Sequence, residues 1–487
     1  MNDKQFETLI MDSMPDLPPE NIAKNITPWK IFIYYILIGL ILNTITISFW
    51  NLQYILPFIG NFFILFGFRV LKKENHWFYY GYIFSWICML ASLPALILNT
   101  TLYSSLYAST DLLKPFLIVI GIAKLFCFYG LYRCLVFAFR EIQEKCGMKP
   151  QLFTGNLILG WCMVICFLDI FRYSGTTISL VLLIAYGFII YGIYTMTKEL
   201  EHIGYSIQIA PVHISGLKIV ITMLSILLLC GLVGYSFFDS YPMEWTEKID
   251  TPGEEILLIK EDLIEKGFPK DVLDDLTQED LLECKDAKRI ITDTISYKNY
   301  DDIPKEYVPY GIAVELASKT NHYKIIHYFK WENDAKFYGT EAIAIWTVDS
   351  GNVGYWTSNN DYSGQLLYDQ GDNIWHAPYY SLRQVNAEYP DWAILGNKTE
   401  IWGEFSFPSN GQNCRGYVSY SAVLDEDNMG TLSSWLNYNH QTKAFLYPVR
   451  TAMDHWAGRS LSDGKFDLYQ YAFQYDLDEN KLFIEMD

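Results

Sequence analysis

LKIVITMLSILLLCGLVGYSFF, Leu217 to Phe238, runs directly into DSYPMEWTEKID, Asp239 to Asp250. The first stretch holds one charge, Lys218 near its start, and at about 1.5 Å per helical residue it spans a hydrocarbon core of roughly 30 Å. The second is polar and acidic, and no apolar run of that length follows it. Residue 238 therefore divides a membrane half from an aqueous half.

Upstream lie six more runs of the same kind: roughly Ile31 to Phe49, Tyr54 to Val70, Trp77 to Leu98, Phe116 to Phe139, Leu152 to Phe171 and Ile178 to Thr195. Few or no charges interrupt them, so seven transmembrane helices are expected. The polar stretch before the first run includes Asp16-Leu-Pro-Pro-Glu20, and no small-residue cleavage site follows that run. It is expected to stay in place as a span rather than be removed as a signal.

Lys and Arg alternate between the connections. Lys4, Lys24 and Lys30 flank the first run, and Arg69, Lys72 and Lys73 lie at or just beyond the end of the second. Arg133, Arg140, Lys145 and Lys149 surround the end of the fourth; Lys198 and Lys218 bracket the loop before the seventh. The intervening connections hold almost none: Lys114 alone between residues 99 and 115, and Arg172 alone after the fifth run. The asymmetry predicts a cytoplasmic N-terminus and, after an odd number of spans, a C-terminal half outside the plasma membrane.

Charge separates the halves as well. Residues 239–487 hold 43 of the 55 acidic and 21 of the 36 basic residues, a balance of −22, against +3 for the rest. An acidic exported surface repels nucleic acid, so no nucleic-acid partner is expected. Seven cysteines (Cys88, Cys127, Cys134, Cys146, Cys162, Cys166 and Cys230) lie in or beside the spans, where they act as small apolar residues. Only Cys284 and Cys414 are exported, which makes them the candidates for one disulfide.

Ionisable groups at membrane depth are costly, so each is a candidate for function or pairing. Lys124 lies about nine residues into the fourth run, and Asp169 with Arg172 closes the fifth. By the predicted orientation all three belong to the outer half, where they form either a polar site or a structural pair between neighbouring helices. Pro57 and Pro94 are expected to bend their helices. Asn43 and Asn156 are expected to bond across helices.

The predicted organisation is a cytoplasmic tail over 1–28, a seven-helix membrane domain over 29–238, a short helical collar over 239–300, and an extracytoplasmic β-rich domain over 301–487. In the collar, Glu254 to Lys266 has helical apolar spacing and ends at Gly267; Thr277 with Asp280 opens a second short helix. From about Tyr307 the period falls to two. Tyr323, Ile325, His327 and Phe329 alternate with Lys324, Ile326, Tyr328 and Lys330; Val418 to Ala422 and Tyr469 to Tyr475 behave likewise. Some eight to ten half-buried strands predict an antiparallel β-sandwich or jelly-roll-like domain.

Tryptophan is frequent there, and flat rings serve both as core filling and as platforms for sugars. Trp356, Trp375 and Trp435, near turns, are the candidate ligand-binding residues. Asp369 and Asp372, and Asp425 and Asp427, are weak calcium candidates on acidic turns, though neither cluster fits the twelve-residue calcium loop. Cys414 with His440 or His455 is a remote thiol–imidazole pairing. No hydrolase, kinase or nucleotide-binding motif is present, so an enzyme is less expected than a binding protein, and no cofactor is expected.

Three functions remain open on the sequence. The first is a membrane protein presenting an exported domain that binds or senses a cell-surface glycan, peptide or protein, with the lipid bilayer as its constant partner. The second is a transporter or lipid-handling enzyme using Lys124, Asp169 and Arg172. The third is an assembly scaffold without a small ligand.

Overall fold

The computed structural model describes residues 28–44, 52–103, 114–148, 153–171, 175–249, 252–294, 304, 306–318, 320–332, 335–346, 361–387, 398–423, 431–458 and 464–482. They divide into two compact units. One extends to Gly234 except for a short piece from Thr100; the other holds that piece and everything from Tyr235.

The first unit is helical, with one helix for each expected run: α1 (Pro28–Thr44), α2 (Leu52–Leu71), α3 (His76–Leu98), α4 (Lys114–Lys145), α5 (Phe153–Ile170), α6 (Thr176–Ile203) and α7 (Gly216–Phe237). Among the described residues α2, α3, α4, α6 and α7 are long and apolar enough to cross a membrane, whereas the apolar parts of α1 and α5 are shorter. Helices α4 and α6 outrun their apolar stretches, and on the polar end of α4 Glu141 pairs with Lys145 one turn on, at 3.0 Å.

Lipid offers no hydrophobic drive for helices to associate, so close backbone approach and interhelical hydrogen bonds hold such a bundle. Both are present. Gly39 of α1 and Gly60 of α2 face each other so closely that a Cβ on either would strike the other's carbonyl oxygen. Asn43 Nδ2 donates to Asn61 Oδ1 at 3.2 Å, and Asn61 Nδ2 to the Cys88 carbonyl at 3.3 Å, which links α1, α2 and α3. Tyr132 and Tyr186 bond hydroxyl to hydroxyl, and the Tyr186 hydroxyl lies 2.7 Å from the Leu40 carbonyl, which links α4, α6 and α1. Pro57 and Pro94 lie inside α2 and α3.

The second unit has three layers. In chain order its elements are β1 (Thr246–Glu247), helices α8 (Glu254–Glu265), α9 (Lys270–Asp275) and α10 (Gln278–Glu283), then β2 (Ala287–Thr294), β3 (Tyr307–Leu316), β4 (His322–Trp331), β5 (Glu341–Trp346), β6 (Tyr362–Gln370) and β7 (Asn373–Ala377). There follow β8 (Ser381–Ala387), β9 (Lys398–Phe405), β10 (Gln412–Val423), β11 (Thr431–Gln441), α11 (Ala452–Ala457), β12 (Phe466–Asp476) and β13 (Lys481–Leu482). Two antiparallel sheets form, one ordered β1-β7-β6-β10-β4-β3-β2 and the other β13-β12-β11-β5-β9-β8. They pack face to face over a core that includes Ile325, Phe329, Val418 and Tyr420 from the first sheet and Ile343, Ile345, Leu436 and Tyr471 from the second.

The expected collar is instead a layer of this domain. Helix α8 ends as its sequence predicts, with Gly267 at φ +94° and the Phe268 amide donating back to the Leu263 carbonyl at 2.9 Å. Thr277 caps α10 by accepting from the Asp280 amide at 3.2 Å. Ile256, Leu263, Val272, Leu273 and Leu281 of these helices then cover Ile312, Val314, Ile326 and Tyr328 on the outer face of the first sheet. Strand β4 is therefore buried on both faces rather than one: Lys324, expected in solvent, is 2% exposed.

A lysine so placed needs partners, and the helical layer supplies them. Lys324 pairs with Glu283 and lies 3.7 Å from Asp280. Asp280 also accepts from Thr277, Tyr417 and Ser419, each at 2.7 Å, and from Ser363 at 2.5 Å. Alongside, Arg415 donates to Asp275 and Asp369, both at 2.7 Å, and Asp275 accepts from the Tyr328 hydroxyl at 2.8 Å.

Candidate functional site

Helices α8–α10 cover the outer face of the first sheet; the outer face of the second is covered only in part, by α11 and Leu446 packed on Ala342 and Ala344, and presents side chains beside that cover. Parity decides which ones. On β11, Leu432, Leu436 and Tyr438 enter the core, so Ser433, Trp435 and Asn437 point the other way. On β5, Ile343 and Ile345 point inward and Ala344 and Trp346 outward; on β9, Ile401 and Phe405 point inward and Glu400 and Trp402 outward.

Four tryptophans gather on this outer face. Trp346 and Trp435 are partners in register, with ring centroids 6.1 Å apart, and Trp456 of α11 lies 6.0 Å from Trp346. Trp402 has the Arg383 guanidinium 5.7 Å from its ring centre. Beneath them the fully buried Glu400 accepts from Trp402 Nε1 at 2.6 Å and Trp456 Nε1 at 3.2 Å, which fixes two of the rings. Trp346, Trp402 and Trp435 remain half-buried.

Amides border the rings. Gln470 Nε2 donates to Asn437 Oδ1 at 2.6 Å, and Gln474 Nε2 and Trp435 Nε1 both donate to Ser433 Oγ at 3.3 Å. Flat, anchored rings beside groups that both donate and accept can take a ligand that is apolar on one side and hydroxylated at its rim.

Of the three tryptophans expected to bind, Trp435 lies on this face. Trp375 does not: it stacks on Tyr368 at 6.3 Å and packs against the inter-sheet core. Trp356 falls outside the described residues. Trp346, Trp402 and Trp456 were missed because proximity to turns was the guide, whereas outward parity on Trp346 and Trp402 was the usable signal.

The helical unit holds a second polar place. A cavity of about 1,420 Å³ lies in the half of the bundle where α1, α3 and α5 end and α2, α4 and α6 begin. Asn43, Gln53, Asn61, Asn99 and Lys124 contribute polar groups to a lining that is otherwise mostly apolar. Lys124 is its only charged residue among the described ones. A charge at the bilayer centre costs on the order of 2.5–3.5 kcal/mol on insertion scales. Asp169 lies on α5, its side chain outside the described residues, as is Arg172.

The remaining candidates separate. Cys284 and Cys414 are both free and buried, Cys284 under the helical layer and Cys414 between the sheets, so the expected disulfide is not formed. Burial pushes the Cys284 thiol up to about 12 and raises Cys414 as well. His440 is bonded to Glu341 at 2.9 Å and His455 to Asn439 at 3.1 Å, and neither is hydrogen-bonded to Cys414 among the described residues. Asp369 is engaged by Arg415 and, at 2.9 Å, by Asn413, while Asp372 stands on the exposed turn after β6. Asp425 and Asp427 lie outside the described residues. No group of three or more potential metal ligands occurs among the described residues.

No protein-family profile and no curated protein matches this chain. Among solved structures, the collagen-binding domain from a Staphylococcus aureus adhesin is similar over 34% of this chain and 97% of that one, at 9% identity and a TM-score of 0.19. A score that low carries no argument about ligand or fold, which rest on the geometry above.

Proposed function

We propose that this is a seven-span plasma-membrane protein that presents its second unit outside the cell as a binding domain for surface glycans. The Lys and Arg asymmetry supports the orientation, and the seven apolar helices support the span count. One observation carries the binding assignment: the half-buried Trp346, Trp402 and Trp435 cluster on the outer face of the second sheet beside α11, whose buried Trp456 backs Trp346, with amide side chains next to them. In this reading the sugar's apolar face stacks on Trp346 and Trp435, and its hydroxyls exchange hydrogen bonds with the half-buried Gln470 and Gln474, which Asn437 and Ser433 hold from beneath.

The test is a tryptophan-fluorescence titration of the full chain in detergent with soluble cell-wall oligosaccharides. A saturable change is expected that weakens about tenfold or more in Trp435→Ala, equivalent to roughly 1.4 kcal/mol, and is unaltered in Trp375→Phe. Binding that is indifferent to Trp435→Ala and Trp346→Ala, or no response to any oligosaccharide by a folded protein, would overturn it.

A further inference from the structure

The cavity in the helical unit is a broad, half-open cleft with a mostly apolar lining, Ile87, Ile122 and Leu183 among its exposed wall residues. Its volume of about 1,420 Å³ exceeds the roughly 300–1,000 Å³ usual for small-molecule sites, so a long chain fits within it. Its walls bring together Ile87 and Ala91 of α3, Ile122 of α4, and Leu182 and Leu183 of α6. The polar groups are few.

Among the described residues Lys124 is the one charge in the lining, its side chain is exposed to the cavity rather than packed away, and no carboxylate lies within ion-pair distance of it. Gln53, also in the lining, has its Oε1 buried without a hydrogen-bond partner among the described residues. A cation in an apolar site is stabilised by a counter-ion, and an unsatisfied amide oxygen by a donor. An acyl chain ending in an anionic head supplies the first directly. A hydroxyl on that head, or rotation of the Gln53 amide toward it, meets the second.

We infer that this cavity binds a lipid with an anionic carboxylate or phosphate head, its acyl chain between α3, α4 and α6 and its head on Lys124. The inference is independent of the glycan face, which lies in the other unit.

The experiment labels the full chain, purified in nonionic detergent, with a photoactivatable fatty acid and maps the modified peptides. Competitors are oleate, oleyl alcohol, dioleoyl phosphatidylglycerol and inorganic phosphate. Labelling is expected on α3, α4 and α6 and not on α7, which contributes nothing to the lining. Oleate or phosphatidylglycerol should compete at least tenfold better than oleyl alcohol. Success of oleate alone identifies a single-chain acid, and success of phosphatidylglycerol a phospholipid.

Lys124→Gln should reduce the preference for acid over alcohol to near unity while labelling persists, and Lys124→Arg should retain it. Ala91→Phe, with an unchanged melting temperature, should reduce labelling by both. Labelling spread evenly over all seven helices, an acid preference that survives Lys124→Gln, or competition by inorganic phosphate as strong as by oleate would each overturn the inference.

Discussion

Replacing Asp280 by alanine removes the centre of the polar network between the helical layer and the first sheet. Asp280 is 2% exposed and accepts from four hydroxyls. Its loss leaves Lys324, equally buried, with Glu283 alone. Truncating one member of a buried ionic group costs about 3–5 kcal/mol. Three compensations pull toward the lower end: Ser363 and Ser419 still bond each other at 2.6 Å, the Tyr417 hydroxyl keeps the Thr277 amide, and Lys324 keeps Glu283. About 3–4 kcal/mol is expected, and at roughly 2–4 °C per kcal/mol for a domain of this size the melting temperature should fall by about 6–16 °C. Asp280→Asn, which retains an acceptor, should lose about half as much.

The same carboxylate predicts a pH dependence. Burial alone raises its pKa, but the hydrogen bonds from Ser363, Thr277, Tyr417 and Ser419 outweigh burial and hold it below the usual carboxylate value. A depressed folded value gives stability that is complete above the unfolded value of about 3.9 and is lost as pH falls through the folded one. The gap between wild type and Asp280→Asn should therefore be constant near neutrality and narrow below about pH 4. Thermal unfolding of the full chain in detergent, followed by tryptophan fluorescence, measures both effects. A shift under about 3 °C in Asp280→Ala, or a gap unchanged down to pH 3, would refute the assignment of Asp280 as a buried, ionised hub.

Gly60→Ala should destabilise the helical unit by about 1–3 kcal/mol, because the new Cβ meets the Gly39 carbonyl oxygen 2.6 Å away, while Gly160→Ala, with nothing within 4 Å, should be neutral; thermal unfolding in detergent compares them. For the Glu341–His440 pair, burial raises Glu341, whereas at His440 burial is outweighed by the neighbouring Glu341 and the imidazole value rises. Raised folded values give stability that is present at low pH and lost as pH rises, so the melting temperature should decline as pH rises above the unfolded imidazole value of about 6.5, with a shallower slope in His440→Gln. Cys284 and Cys414 should resist maleimide in the folded protein and react only after denaturation, read by mass spectrometry of their peptides, and reductant should leave the melting temperature unchanged.

The membrane half was legible because lipid enforces one local rule: a helix long enough to span it must be apolar throughout, and such runs are read without knowing their neighbours. Even there the match is uneven, since α4 and α6 continue past their apolar stretches where polar ends fold as helix. The aqueous half was legible in its strands and less so in its layers. Tyr323 to Lys330 alternates in sequence, and alternation implies one wet face only while nothing covers it. Helices α8 to α10 do cover it, and Lys324 passes from solvent to a buried ion pair. Their own faces gave little warning, because short helices with a few leucines read equally well as a spacer or as a lid.

The two candidate sites differ in the same way. Lys124 stands out in any sequence because a charge inside an apolar run has a large local cost, and the structure adds only the cavity around it. A tryptophan on a strand has no such signature: Trp331 and Trp435 are the same residue in the same kind of strand, yet one fills the core and the other faces outward. Parity relative to certain core residues is what distinguishes them. Trp435 lies between Leu432 and Leu436 on the odd positions of β11, so its outward direction follows once Leu436 is placed inside. Trp456 yields to no such rule, since it comes from a helical turn capped by Thr451 and reaches the face only through tertiary packing. A tryptophan cluster built from three strands and a helix is thus readable strand by strand, while the meeting of its four rings depends on a sheet order, β11-β5-β9, that no local pattern encodes.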